Sequence, residues 1–206
     1  LGPLASRAKI LEFEIGGATS EIVAKILRER PRVVGFGVYI WNARETAEVI
    51  GVLKRLAPDV AIVVGGPEVS YETETSEAAR RADYVVRGEA DVAFRKLCDD
   101  LLSGRAAPRT IDAPLPEPSE IASPYALYDA VDVAHRTLYV EASRGCPYSC
   151  EFCLSALEIP VRQFPIESFL ADMDALHRRG VTVPQADGRA GVGHALRNGQ
   201  SDAGDA

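Results

Sequence analysis

The chain has 206 residues, 47% of them hydrophobic, and a formal net charge of −7 at neutral pH. That is enough apolar material for one large domain or two small ones. The acidic balance argues against a nucleic-acid partner, which needs a basic patch, and no apolar run approaches the length that crosses a bilayer.

The first hundred residues alternate strand and helix signals. Lys9-Ile-Leu-Glu-Phe-Glu-Ile15 alternates apolar and polar, as a half-buried strand does. Thr19 or Ser20 is placed to cap a helix carrying Ile22, Val23, Ile26 and Leu27 on one face, with Pro31 as its stop. Val33-Val-Gly-Phe-Gly-Val-Tyr-Ile40 is a nearly continuous apolar run, typical of a central parallel strand. A helix with Ala47, Ile50 and Leu53 follows, ending near Pro58-Asp59. Val60–Val64 reads as the next strand, broken by Gly65-Gly66-Pro67, and a short helix near Glu77–Arg81 leads into Tyr84-Val-Val86. Phe94, Leu97, Cys98 and Leu101 then share a helix face that Gly104 ends.

This order predicts an α/β fold with a Rossmann-like, doubly wound parallel sheet over residues 1–104. Ligands of such sheets bind beyond the carboxyl ends of the strands. Three loops fall there: Tyr39-Ile-Trp41-Asn42, Gly65-Gly66-Pro67-Glu68 and Arg87-Gly88-Glu89.

From 105 to 136 the composition changes. Pro108, Pro114, Pro116, Pro118 and Pro124 predict a stiff, largely extended linker. Thr137-Leu-Tyr-Val-Glu-Ala142 reads as a strand feeding the run Ser143-Arg-Gly-Cys-Pro-Tyr-Ser-Cys-Glu-Phe-Cys153. The helix after it carries Ile166, Phe169, Leu170, Met173 and Leu176 as one stripe and ends at Gly180. The stretch 181–206 has few large apolar residues and reads as a disordered tail. With no secretory segment and free cysteines, the expected compartment is the cytoplasm.

Cys146, Cys150 and Cys153 form a C-x3-C-x2-C run. Three thiolates on one tight loop can each bind one iron of a [4Fe–4S] cluster, which ordinarily takes four cysteines, so one iron keeps an open position. Zinc is the alternative, but it wants four ligands. Cys98 lies far upstream, and His135 and His177 are not at ligand spacing. A disulfide pairing would leave one of the three unpaired.

The cysteine spacing resembles the signature of radical S-adenosylmethionine (radical SAM) enzymes. In that family the open iron chelates SAM, which is cleaved reductively to a 5′-deoxyadenosyl radical. With the two glycine turns and the proline linker in the same order, residues 9–180 look like a cobalamin-binding radical SAM enzyme. That resemblance implies a cobalamin-binding domain over 1–104, lacking its first strand, a linker over 105–136, and the first β-α unit of a partial (β/α) barrel over 137–180. It implies a [4Fe–4S] cluster on Cys146, Cys150 and Cys153, with SAM and cobalamin as cofactors. An electron donor such as flavodoxin or ferredoxin is the implied partner, with no nucleic acid and no membrane.

The resemblance also assigns roles with alternatives beside them. Gly65, Gly66 and Gly88 either let the backbone approach a flat macrocycle or only make tight turns. Tyr39 and Trp41, with Asn42 and Pro67 beside them, either line the cofactor face or pack in the core. Glu68 and Glu89 either accept hydrogen bonds from corrin amides or serve as helix N-terminal acids. Phe152 is placed near the SAM adenine or at the barrel rim. No Asp-x-His-x-x-Gly motif is present, and His135, His177 and His194 all lie outside the first domain. A single β-α unit after the linker, and a start at Leu1, make the chain read as a fragment. The runner-up is a non-catalytic cobalamin-binding or flavodoxin-like module with a remnant metal loop.

Overall fold

β-branched and glycine-punctuated runs set the sheet. β1 (Val33–Gly37), β2 (Ala61–Gly65), β3 (Tyr84–Arg87) and β4 (Thr110–Asp112) pair in parallel in the order β1-β2-β3-β4. This is a computed structural model describing residues 2–71, 73–148, 150–153 and 161–182. It divides into two compact units, 1–120 and 121–206.

In the first unit α1 (Thr19–Arg28) precedes β1, α2 (Ala43–Leu56) joins β1 to β2, and α3 (Pro67–Ser70) and α4 (Glu77–Arg81) join β2 to β3. α5 (Ala90–Leu102) joins β3 to β4. Strand side chains alternate between faces, and two cores result. Ile62, Val64 and Val85 pack with Val23 and Ile26 of α1 and with Val49, Ile50 and Leu53 of α2. On the other face Val63 and Val86 pack with Leu97, Phe94 and Leu101 of α5. Gly35 makes room there, since a Cβ on it would lie 2.8 Å from the Phe94 ring. Cys98 is buried, and burial pushes its thiol pKa up, as suits a small hydrophobe in the core.

Polar locks tie the helices to the sheet and to one another. Lys54 on α2 donates to both carboxylate oxygens of Asp83, at 2.9 and 3.0 Å, and Asp83 also accepts from the Ile62 N–H at 2.8 Å. Arg81 donates to the Ala47 carbonyl at 2.9 Å, binding α4 to α2. Glu77 pairs with both Arg80 and Arg81, and those hydrogen bonds hold its carboxyl below the usual range.

Three expectations are corrected. Residues 9–15 form no strand: Leu11 and Phe13 face the core, but the segment joins no ladder, so alternation is present without backbone pairing. Thr19 and Ser20 are the first residues of α1 rather than its cap, which is Ala18. The proline-rich stretch is not merely a linker, because Thr110–Asp112 extends the sheet and Arg87 pairs with Asp112 across the new edge at 2.6 Å.

The second unit is held differently. A 3-10 turn at Tyr125–Leu127 precedes α6 (Ala130–His135). Asp129 caps α6 by accepting from the Asp132 and Val131 N–H groups, and these bonds keep its carboxyl below the usual range. The expected strand 137–142 is absent as a ladder. Tyrosine hydroxyls take its backbone groups instead: Tyr125 Oη accepts from the Glu141 N–H at 2.7 Å, and Tyr128 Oη donates to the Tyr139 carbonyl at 3.0 Å. Among the described residues of this unit, β5 (Ser143–Arg144) pairs antiparallel to β6 (Arg162–Gln163). α7 (Ile166–Arg178) follows, with Leu176 buried and Ile166 and Leu170 exposed. The expected tail lies, from residue 183 on, outside the described residues. Among the described residues no helix is long and apolar enough to cross a membrane.

Asp83→Ala removes the carboxylate from Lys54, which keeps the Pro58 and Val60 carbonyls, and leaves the Ile62 N–H without its acceptor. It should lower stability by about 1–3 kcal/mol, and Asp83→Asn, which keeps an acceptor for Ile62, should lower it less. Urea unfolding of the three proteins checks this, and an Ala variant as stable as the parent refutes the lock.

Candidate functional site

The carboxyl ends of β1, β2 and β3 bring the three sequence-defined loops of the first unit to one edge of the sheet. The β1–α2 loop is closed by Asn42. Its side-chain oxygen accepts from the Tyr39 N–H at 2.8 Å, and its amide donates to the Gly37 carbonyl at 3.0 Å. Asn42 therefore shapes the loop from within. The loop presents Tyr39 and Trp41 as a stacked pair, ring centroids 4.7 Å apart and planes 5° from parallel. Both rings are exposed, and Ile40 between them is 80% exposed. Together they put an exposed apolar surface at the carboxyl ends of the strands.

The β2–α3 turn meets the β1 loop directly. Val38 donates to the Gly65 carbonyl at 2.7 Å, and the Glu68 N–H donates back to the Val38 carbonyl at 3.3 Å. Gly66 has φ +106°, and a Cβ there would stand 2.6 Å from the Val38 carbonyl oxygen. Gly66 is thus demanded by the approach of β1's own backbone. Pro67 opens the short α3 at its first position, where a missing N–H costs nothing. Glu68 is half-buried and lines a cleft with Ala43, Ala47, Ser76 and Ala78.

The β3–α5 turn is the third rim. Gly88 has φ +81°, and Glu89 stands at the N-cap of α5. Ser70, at the end of α3, links the two glycine turns. Its hydroxyl donates to the Gly66 carbonyl at 2.8 Å and accepts the Gly88 N–H at 3.1 Å. Sequence reasoning missed Ser70. Its only signal was a hydroxyl residue four positions after Gly66, which reads as an ordinary helical serine.

In the second unit Gly145, at φ +88°, turns the chain from β5 into the cysteine run. Arg144 is fixed by Glu141 at 3.1 Å and lies over the Phe164 ring at 5.7 Å. Cys146 and Cys153 are half-buried and Cys150 is exposed, all as free thiols. The Cys153 N–H donates to the Cys150 carbonyl at 3.1 Å, closing a tight turn between them. Phe152 is 93% exposed. Three soft thiol donors suit an iron–sulfur cluster. Among the described residues, however, no three His, Cys, Asp or Glu are gathered as a metal-binding group.

The B12-binding domain family matches residues 6–98. The parallel four-stranded sheet with its flanking helices is consistent with that family. The chain is 27% identical over 192 residues to an uncharacterised methyltransferase of Pyrococcus horikoshii, covering 82% of this chain and 42% of that protein. It is 31% identical over 187 residues to the cobalamin-dependent radical SAM methyltransferase TokK of Streptomyces tokunonensis, covering 73% and 26% respectively. It is 32% identical over 149 residues to the 2-(S-pantetheinyl)-carbapenam-3-carboxylate methyltransferase of Streptantibioticus cattleyicolor, covering 60% and 22%. The chain thus spans less than half the length of these relatives, and the B12-binding match together with their names supports a cobalamin-binding radical SAM family.

Gly66→Ala must push against the Val38 backbone and adopt a left-handed φ. We expect a loss of about 2–4 kcal/mol in the cofactor-free protein, read as a lowered thermal midpoint. Gly104→Ala has φ strain but open space around it, and should cost less. Equal losses would show that φ alone, rather than the Val38 contact, sets the need for glycine.

Proposed function

We propose that this chain carries the cobalamin domain and the cluster loop of a radical SAM enzyme of the methyltransferase type. What supports the reading is one combination in a single chain: a B12-binding domain followed by three free thiols at C-x3-C-x2-C spacing. Cys146, Cys150 and Cys153 would hold a [4Fe–4S] cluster. When bound, these cofactors supply reductive cleavage of S-adenosylmethionine to begin radical chemistry, such as methylation or cyclisation.

The chain's own residues bind and orient. Tyr39 and Trp41 offer a flat apolar face to the macrocycle, Gly65, Gly66 and Gly88 keep the rim free of side chains, and Pro67 starts α3 beside them. Glu68 and Glu89 are acceptors for corrin amides in this reading, and Asn42 holds the aromatic loop in place. Phe152 offers an exposed ring to the adenine of SAM. Arg144 orients the cysteine loop through Glu141 and Phe164. The reading includes a flavodoxin- or ferredoxin-type electron donor and a cytoplasmic setting.

Anaerobic reconstitution of the chain with iron and sulfide should give a brown, oxygen-sensitive cluster. Its absorption should disappear on changing Cys146, Cys150 or Cys153 to Ala, and it should persist in Cys98→Ala, whose thiol is buried on α5. Stoichiometric zinc with no iron uptake would overturn the cluster assignment. It would favour a cobalamin-binding module with a remnant metal loop.

Trp41 is the chain's single tryptophan, so its fluorescence reports on one loop. Titration with hydroxocobalamin should quench it in a saturable way. Trp41→Ala should weaken uptake about tenfold while leaving thermal stability nearly unchanged, because the ring is exposed. Saturable uptake with undisturbed Trp41 emission would place the cofactor elsewhere.

A further inference from the structure

The two glycine turns of the cobalamin rim belong to different β-α connections, and nothing in the strand ladder joins them. The β2–β3 register runs from Val63↔Tyr84 to Gly65↔Val86 and stops there. Gly88, one step past β3, has a left-handed φ of +81° and lies beyond the sheet. On one side its neighbour Arg87 is pinned by the Ala113 N–H, which donates to the Arg87 carbonyl at 2.9 Å. On the other side the fastening is a side chain, Ser70.

A serine in a helix commonly donates back to the carbonyl four residues earlier. Ser70 does this to Gly66, at 2.8 Å. What sets it apart is the second bond. The same oxygen accepts the Gly88 N–H at 3.1 Å, eighteen positions along the chain. A hydroxyl has one proton to give and lone pairs to receive. Ser70 uses both capacities, one on each turn, so the two rims move together. The Gly66 turn is itself fixed against Val38, which donates to the Gly65 carbonyl at 2.7 Å and accepts the Glu68 N–H at 3.3 Å. Ser70 therefore transmits that fixed position to Gly88.

We infer that Ser70 is a positioning residue of the cobalamin site, holding the Gly66 and Gly88 turns in one register so that the cofactor meets a preformed rim. The inference rests on the cobalamin reading above. Ser70 need not touch the cofactor. Its contribution is preorganisation: without it, binding must also order the Gly88 turn. Threonine keeps a hydroxyl able to make both bonds, and alanine keeps neither.

The test uses the intact 206-residue chain and hydroxocobalamin, with affinity read by absorbance titration. Ser70→Ala should weaken binding about tenfold, and Ser70→Thr should restore most of it. Amide hydrogen exchange of the cofactor-free chain should show the Gly88 N–H losing protection in the Ala variant and regaining it in the Thr variant. Asp83→Asn serves as control, because Asp83 holds Lys54 and the Ile62 N–H and bridges no rim. It should lower the thermal midpoint without changing affinity. If Ser70→Ala binds as tightly as the parent, or if Asp83→Asn weakens binding equally, the positioning role is refuted. If the parent chain itself takes up no cobalamin, the cobalamin reading falls and this inference falls with it.

Discussion

The Val38 backbone is the constraint on which the candidate cobalamin site depends. It is fully buried, it donates to Gly65, and it accepts from Glu68. These two bonds continue the β1–β2 ladder one step past the strands and into the loops. They draw the β2 turn so close that only glycine fits at position 66. The aromatic loop on one side and the second glycine turn on the other are then placed by short hydrogen-bonded links, through Asn42 and Ser70. A backbone contact, rather than a flexible side chain, sets the position of this edge.

The two units are stabilised by different physics. The first has two apolar cores separated by a sheet, the layered arrangement expected of an α/β domain. In the second, Tyr125 and Leu176 are the buried apolar residues among those described, and the segment leading to the cysteines hangs on tyrosine hydroxyls. Arg179 reinforces this by donating to the carbonyls of Tyr125 and Tyr128. A framework with few buried apolar contacts opens locally at lower cost than one built on a core.

Much of the first unit was legible because periodicity and burial agree there. The apolar run at β1, the strand ended by Gly65-Gly66, the short helix at Glu77–Arg81 and the α5 stripe all fall close to where pattern placed them. Failures came where pairing, not pattern, decides. Lys9–Ile15 has strand alternation but no ladder. Thr110–Asp112 has a ladder but only three residues between prolines, too few for a pattern to register. Thr137–Ala142 looks like a strand, yet the hydroxyls of Tyr125 and Tyr128 occupy its backbone groups. At the site, glycines announce themselves by type, and so did the cysteine spacing. Ser70 did not, because its significance lies in a partner eighteen positions away.

The seat of Phe94 against Gly35 has a consequence for how the first unit assembles. The two residues belong to the first strand and the last helix of the sheet, and the ring fits only because Gly35 has no side chain. The rear face of β1 is therefore completed by a segment synthesised much later in the chain. Closing so long a loop carries an entropic cost before any contact rewards it, and contacts of this kind slow folding. The unit should consequently acquire its structure in one late, concerted event, with α5 arriving last, rather than by adding β-α pairs one after another as they emerge.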